Sequence, residues 1–216
     1  MQEVSVDHIL HHLYGALKTS KVQWSQSDES IRKLQAISST ESDKKRIAEL
    51  KNQEVQARMV IILISHCFVE ALANHYIASK CDAQRFDSLE RHGILKKWTT
   101  TPCEFVKEYR FPEKGDALYD DLDRLARLRN CLGHSKSRIH INDQLIHKGD
   151  LPLLSDTSSL TPEKCLSLPV RLVEHLCLYD HGAAFELCIY SDFSDADRNE
   201  IISKVRAKSM KQRTAK

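Results

Sequence analysis

Glycine and proline are scarce in this 216-residue chain, at six and five. That excludes a collagenous, low-complexity or loop-dominated protein, and it disfavours a sandwich of many short strands, whose turns need both residues. Aromatics make up only 6%, so a core has to come mainly from Leu, Ile, Val and Ala. The longest unbroken apolar run, Met59 to Ile64, is far shorter than the roughly 20 residues that span a bilayer. No charged-then-apolar leader opens the chain, and no membrane partner is expected. The seven cysteines (67, 81, 103, 131, 165, 177 and 188) contain no C-x-x-C pair. An odd, dispersed set of this kind reads as reduced core thiols, and the expectation is a single-domain cytoplasmic protein. Phosphate loop, dinucleotide fingerprint and nucleophile elbow are also missing, so no cofactor is expected.

Charge is nearly balanced, at a formal +2, which implies no strong global attraction to nucleic acid. Its distribution is less even: Lys204 to Lys216 carries six basic residues and no acidic one. Such a tail reads either as a solvated helix end or as electrostatic help for an RNA or other anionic partner.

What the chain does have is helical periodicity. Val6, Ile9, Leu10, Leu13 and Leu17 share one face of a first helix. The Ser-, Thr- and charge-rich stretch 19–45 reads either as a linker or as a weak helix around Ile31 to Ile37. From about Lys44 to Lys80 neither Gly nor Pro intervenes, which predicts the longest helix. A short helix over Phe86 to Trp98 is broken at Gly93, and Thr101-Pro102-Cys103-Glu104 resembles a helix start. Asp116 to Leu132 forms a further helix, with Gly133 suited to a left-handed cap. Alternation at Ile139, Ile141 and Leu145 reads as a small β-hairpin insertion. Residues 149–169 read as loop, and a last long helix runs from Pro169 to about Tyr190, followed by one capped by Ser194. The expectation is an all-α bundle of four to five core helices. Its parts are an N-terminal helix and polar linker (1–44), a helical core (45–191) with an insertion at about 137–168, and a C-terminal helix with basic tail (192–216).

Two polar interruptions stand out. Leu118, Leu122, Leu125 and Leu132 form a stripe whose missing member is Arg129, and an unpaired buried guanidinium would cost several kcal/mol. On the long helix, Leu63, Cys67, Glu70, Asn74 and Ile77 follow a four-three-four-three rhythm, which places Glu70 and Asn74 on an otherwise apolar face. One shared polar site would explain both, and so would a buried structural salt bridge between Glu70 and Arg129. Arg129 also opens the string Arg129-Asn130-Cys131-Leu132-Gly133-His134. A near-neutral imidazole can take the proton of a ribose 2′-hydroxyl or return one to the leaving oxygen, while a guanidinium holds the scissile phosphate. Neither role requires a metal.

These residues resemble the signature of the HEPN superfamily, R-x4–6-H with a polar residue after the Arg. HEPN proteins are all-α and occur in toxin–antitoxin, abortive-infection and other RNA-processing systems. The helix Val60 to Ile77, with Glu70 and Asn74, is similar to an upstream core helix of such domains. The outline resemblance covers about residues 45–190. Arg85–His92 and Arg127–His134 satisfy the spacing too. Arg129 is singled out by Asn130, the stripe position, the Gly133 turn and the acidic partner helix.

The resemblance implies an all-α HEPN-like bundle acting as a metal-independent endoribonuclease in a toxin or defence role. Arg129 would grip the phosphate, His134 would serve as general acid or base, and Asn130 would orient one of them. Glu70 would brace Arg129 with help from Asn74, and Lys136 and Arg138 would line the RNA path. The products would carry a 2′,3′-cyclic phosphate and a 5′-hydroxyl. It further implies a homodimer with a composite active site, RNA as substrate, and an antitoxin or regulatory protein as partner. Some relatives carry a modifiable Tyr two residues after the His; here Lys136 stands there. The alternative reading is a non-catalytic helical module that binds a nucleotide, RNA or a partner protein. His8, His11 and His12 have a spacing that can clasp a metal, but they read as a histidine-rich surface. No metal is expected, and Cys131 reads as a packed helix-end thiol.

Overall fold

A computed structural model describes residues 6–37, 40–134 and 160–180, together with Ala183 and Ser203. Its elements are α1 (Val6–Ile37), α2 (Glu41–Lys80), α3 (Ala83–Leu89), α4 (Ile94–Thr99), a 3-10 turn (Thr101–Glu104), α5 (Ala117–His134) and α6 (Pro162–Cys177). The protein is mostly helical, and no strand occurs among the described residues. The hairpin expected at 137–147 and the helix expected after Ser194 lie outside them.

Local chemistry explains the helix starts. Thr40 and Asp43 cap α2 reciprocally: Asp43 N donates to Thr40 Oγ1 at 3.2 Å and Thr40 N donates to Asp43 Oδ2 at 3.2 Å. Asp82 caps α3 by accepting from Arg85 N at 2.9 Å. Gly115 adopts a φ of 101°, a left-handed conformation that only glycine takes readily. It delivers the chain to Asp116, whose Oδ1 accepts from Leu118 N at 2.8 Å.

One open reading is decided and two expectations change. The polar stretch left open between linker and helix is helical as far as Ile37, with Trp24 and Ile31 buried. Its exposed face carries the pairs Asp28–Arg32 and Glu29–Lys33, each four residues apart. The helix expected from Pro169 starts at Pro162 instead, because Pro suits the first helical position. Thr161 Oγ1 receives Lys164 N at 3.3 Å. Pro169 then falls inside α6 and supplies no amide to the carbonyl of Cys165, four residues back. Ser65 Oγ of α2 donates to that carbonyl at 3.0 Å. Finally, Gly133 does not end α5, which continues to His134; a single Gly costs a helix only about 1 kcal/mol.

The chain divides into two compact units. One comprises Met1–Tyr14, Cys67–Asp123 and Ser167–Lys216. Its core is built on Phe68, Val69, Leu72, Tyr76, Trp98, Tyr109, Leu122, Leu168, Leu172 and Leu176. Two buried polar groups inside it find backbone acceptors: Trp98 Nε1 donates to Val69 O at 3.2 Å, and Tyr109 OH to Trp98 O at 2.6 Å. Arg171 reaches buried Asp121 at 2.6 Å. The other unit comprises Gly15–His66 and Arg124–Leu166, with Leu17, Trp24, Ile31, Leu50, Ile61, Ile62, Leu125, Leu128 and Leu160 buried.

By length and composition alone, α2 contains a window apolar enough to cross a membrane, of which 39% is buried here. The unbroken-run criterion missed it because Ser65, His66 and Glu70 interrupt the run without lowering the average much. Buried core helices of soluble proteins pass the same test, so this is weak evidence for a membrane span.

Candidate functional site

Helix α5 carries the R-x4-H string. Its buried positions are Leu118, Asp121, Leu122, Leu125 and Leu128. The stripe therefore steps from Leu125 to Leu128 rather than to Arg129, and Leu132 is only half-buried. Arg129 was expected on the apolar stripe; it is exposed, as is Asn130. The physical reason is that Leu128 offers an apolar side chain one position earlier, and no desolvation of a guanidinium is incurred. Arg129 Nη1 donates to Asn130 Oδ1 at 3.3 Å, so the polar neighbour does engage the guanidinium. His134 closes the same helix. On a continuous α-helix, positions 129 and 134 are roughly 140° apart around the axis and about 7.5 Å along it. Lys136 and Arg138 lie outside the described residues.

Glu70 and Asn74 sit in the other unit, one helical turn apart on α2. Glu70 Oε1 is 3.0 Å from Lys97 Nζ, and the Lys97 side chain is only 1% exposed against 36% for Glu70. An ammonium buried to that extent needs an anion beside it. Glu70 thus serves Lys97, a partner that sequence reading missed because α4 is short and amphipathic periodicity is weak over six residues. Asn74 Oδ1 is buried without a donor among the described residues. Arg129–Asn130 belongs to one unit and Glu70–Lys97 to the other, and each group is described by itself.

The second R-x6-H match is committed elsewhere. Arg85 pairs with Glu104 at 3.0 Å and lies over the ring of Phe105 at 5.5 Å. His92 Nε2 is 2.9 Å from Lys96 Nζ, and His92 Nδ1 is 3.1 Å from Thr101 Oγ1. A lysine ammonium only donates, so Nε2 accepts and the imidazole proton resides on Nδ1, directed at Thr101. Thr101 Oγ1 in turn donates to Lys96 O at 3.2 Å.

Other groups have displaced acidities for structural reasons. Burial, ahead of its neighbours, raises the Tyr109 phenol far above its ordinary range. Burial likewise raises the Cys81 thiol. Desolvation lowers Arg58, which stacks over Trp24 at 4.7 Å. Among the described residues, no cluster of three His, Cys, Asp or Glu is placed to hold a metal ion. His12 is exposed and Cys131 half-buried. No family model, curated protein or solved structure matches this chain.

Proposed function

We propose that this all-α chain is a cytoplasmic, metal-independent endoribonuclease of the HEPN type with a toxin or defence role. The observation that carries the reading is the exposed Arg129, bonded to Asn130 on the helix that ends at His134. An exposed guanidinium is free to take a phosphate, and the Asn130 carboxamide restrains its swing. Arg129 clamps the scissile phosphate and stabilises the charge that builds on its oxygens. His134 accepts the 2′-hydroxyl proton or protonates the 5′-leaving oxygen. The 2′-oxygen bonds to phosphorus as the 5′-oxygen departs, leaving a 2′,3′-cyclic phosphate and a 5′-hydroxyl.

Helix geometry supports a homodimer with a composite active site. Positions roughly 140° apart on one helix do not share a face, so Arg129 of one protomer is best matched by His134 of a second copy. Mixing Arg129→Ala with His134→Ala protein tests this. Each heterodimer then retains one complete site, and random exchange restores about a quarter of wild-type activity from two inactive parents, given half the dimers mixed and half the sites intact. Two inactive parents whose mixture stays inactive would remove the composite site.

A further inference from the structure

Exposed apolar side chains are concentrated rather than scattered. Of the five large hydrophobic residues that stand exposed among the described residues, four lie in one stretch of α2: Val55, Met59, Val60 and Leu63, each 36% to 45% exposed. All belong to one compact unit. Asn52 and Gln56, also exposed, fall among them. At 3.6 residues per turn and a 1.5 Å rise, the six cover an arc of roughly 140° and a length of about 17 Å. No residue on that arc is charged, in a chain that is 29% charged. The charged residues of the same stretch, Glu54 and Arg58, lie outside the arc and are half-buried. They attract each other, and Arg58 lies over Trp24 at 4.7 Å.

The missing charge selects the occupant. Nucleic acid and anionic membranes are held through Lys and Arg, and this face offers neither. A symmetric pair of identical chains sets one patch against itself, so any charge at its centre would meet its own copy. An uncharged apolar face flanked by carboxamides escapes that repulsion, and Asn52 and Gln56 can each donate to and accept from a second copy. The surface relief agrees. Val55, Met59 and Leu63 form one ridge at a spacing of four, and Gln56 and Val60 begin the neighbouring ridge. Ridges of this spacing interdigitate with identical ones when two helices cross at about −50°.

We infer that the Val55–Met59–Leu63 face of α2 is the contact surface for a second copy of this chain. The inference rests on the homodimer of the cleavage reading, and its test reads association rather than cleavage. Met59 is the middle member of the ridge, so its two copies meet near the symmetry axis. Sedimentation equilibrium of the full chain is run on wild type, Met59→Glu, Met59→Lys and an equimolar mixture of the two variants. The expected result is a wild-type dimer, with a dissociation constant raised about a hundredfold or more in each variant by like-charge contact. The mixture should recover association, because Glu then faces Lys. Position 59 is exposed, and unchanged circular dichroism verifies the fold. A dimer that both variants leave intact, or a mixture that stays dissociated, overturns this surface alone. A monomeric wild type overturns it together with the composite site. A monomer that binds phosphatidylcholine vesicles, and loses them in Met59→Glu, assigns the face to lipid and overturns the self-contact.

Discussion

Ser65 donates its hydroxyl to the carbonyl of Cys165 at 3.0 Å, the carbonyl that Pro169 leaves without its helical amide. A proline inside a helix costs about 3 kcal/mol or more, partly through this orphaned acceptor. Ser65 is fully buried, so no water replaces it readily. Ser65→Ala should therefore lower stability by about 1–3 kcal/mol, the penalty for an unsatisfied buried group. In a Pro169→Ala background the restored amide serves the carbonyl, and the Ser65→Ala cost should shrink. Equal costs in both backgrounds, measured by urea denaturation, would show that the two residues are uncoupled.

Lys97 and Glu70 give a second double-mutant test. Glu70→Ala strands a buried ammonium, while Glu70→Ala with Lys97→Met replaces the pair by apolar volume. Glu70 is more than a third exposed, which discounts the loss to about 1–2 kcal/mol. The double variant should be more stable than Glu70→Ala alone. If it is less stable, Lys97 has no need of the Glu70 charge.

Tyr109 makes alkaline stability predictable. Its phenol is raised by burial and its hydroxyl donates to Trp98 O at 2.6 Å. In the unfolded chain a tyrosine ionises near pH 10. The unfolded state thus loses a proton that the folded state keeps. The stabilisation is complete below about pH 10 and is lost as pH rises toward the folded value, at about 1.4 kcal/mol per unit. Spectrophotometric titration beside Tyr109→Phe should assign to Tyr109 a phenol that stays silent until the protein unfolds. In Tyr109→Phe the extra alkaline slope should vanish; a slope equal to wild type would contradict the assignment.

Much of the fold is legible in the sequence. The scarcity of Gly and Pro and the apolar periodicities locate α2, α5 and the break at Gly93. The start of α6 was hidden because a Pro marks either a helix opening or a stop, and Thr161-Pro162 reads as loop until its cap is seen. The site was legible only as a string. Arg129 and Leu128 are adjacent, and a 3.6-residue period does not say which of two neighbours turns inward after Leu125; packing resolves it in favour of Leu128. The partner of Glu70 is 27 residues away on a six-residue helix, beyond the reach of any periodic signal.

Because Arg129 is exposed, Arg129→Ala should change stability by no more than about 0.5 kcal/mol. Loss of function in that variant would then report chemistry rather than unfolding. A large drop in its thermal melt would instead assign Arg129 a structural role and favour the binding-module reading.

The most direct measurement is cleavage of total RNA and purified tRNA by the full chain in excess EDTA, beside Arg129→Ala and His134→Ala. The account predicts cleavage by wild type alone, with 2′,3′-cyclic phosphate and 5′-hydroxyl ends. Cleavage that persists in both variants, or that EDTA abolishes, would contradict it.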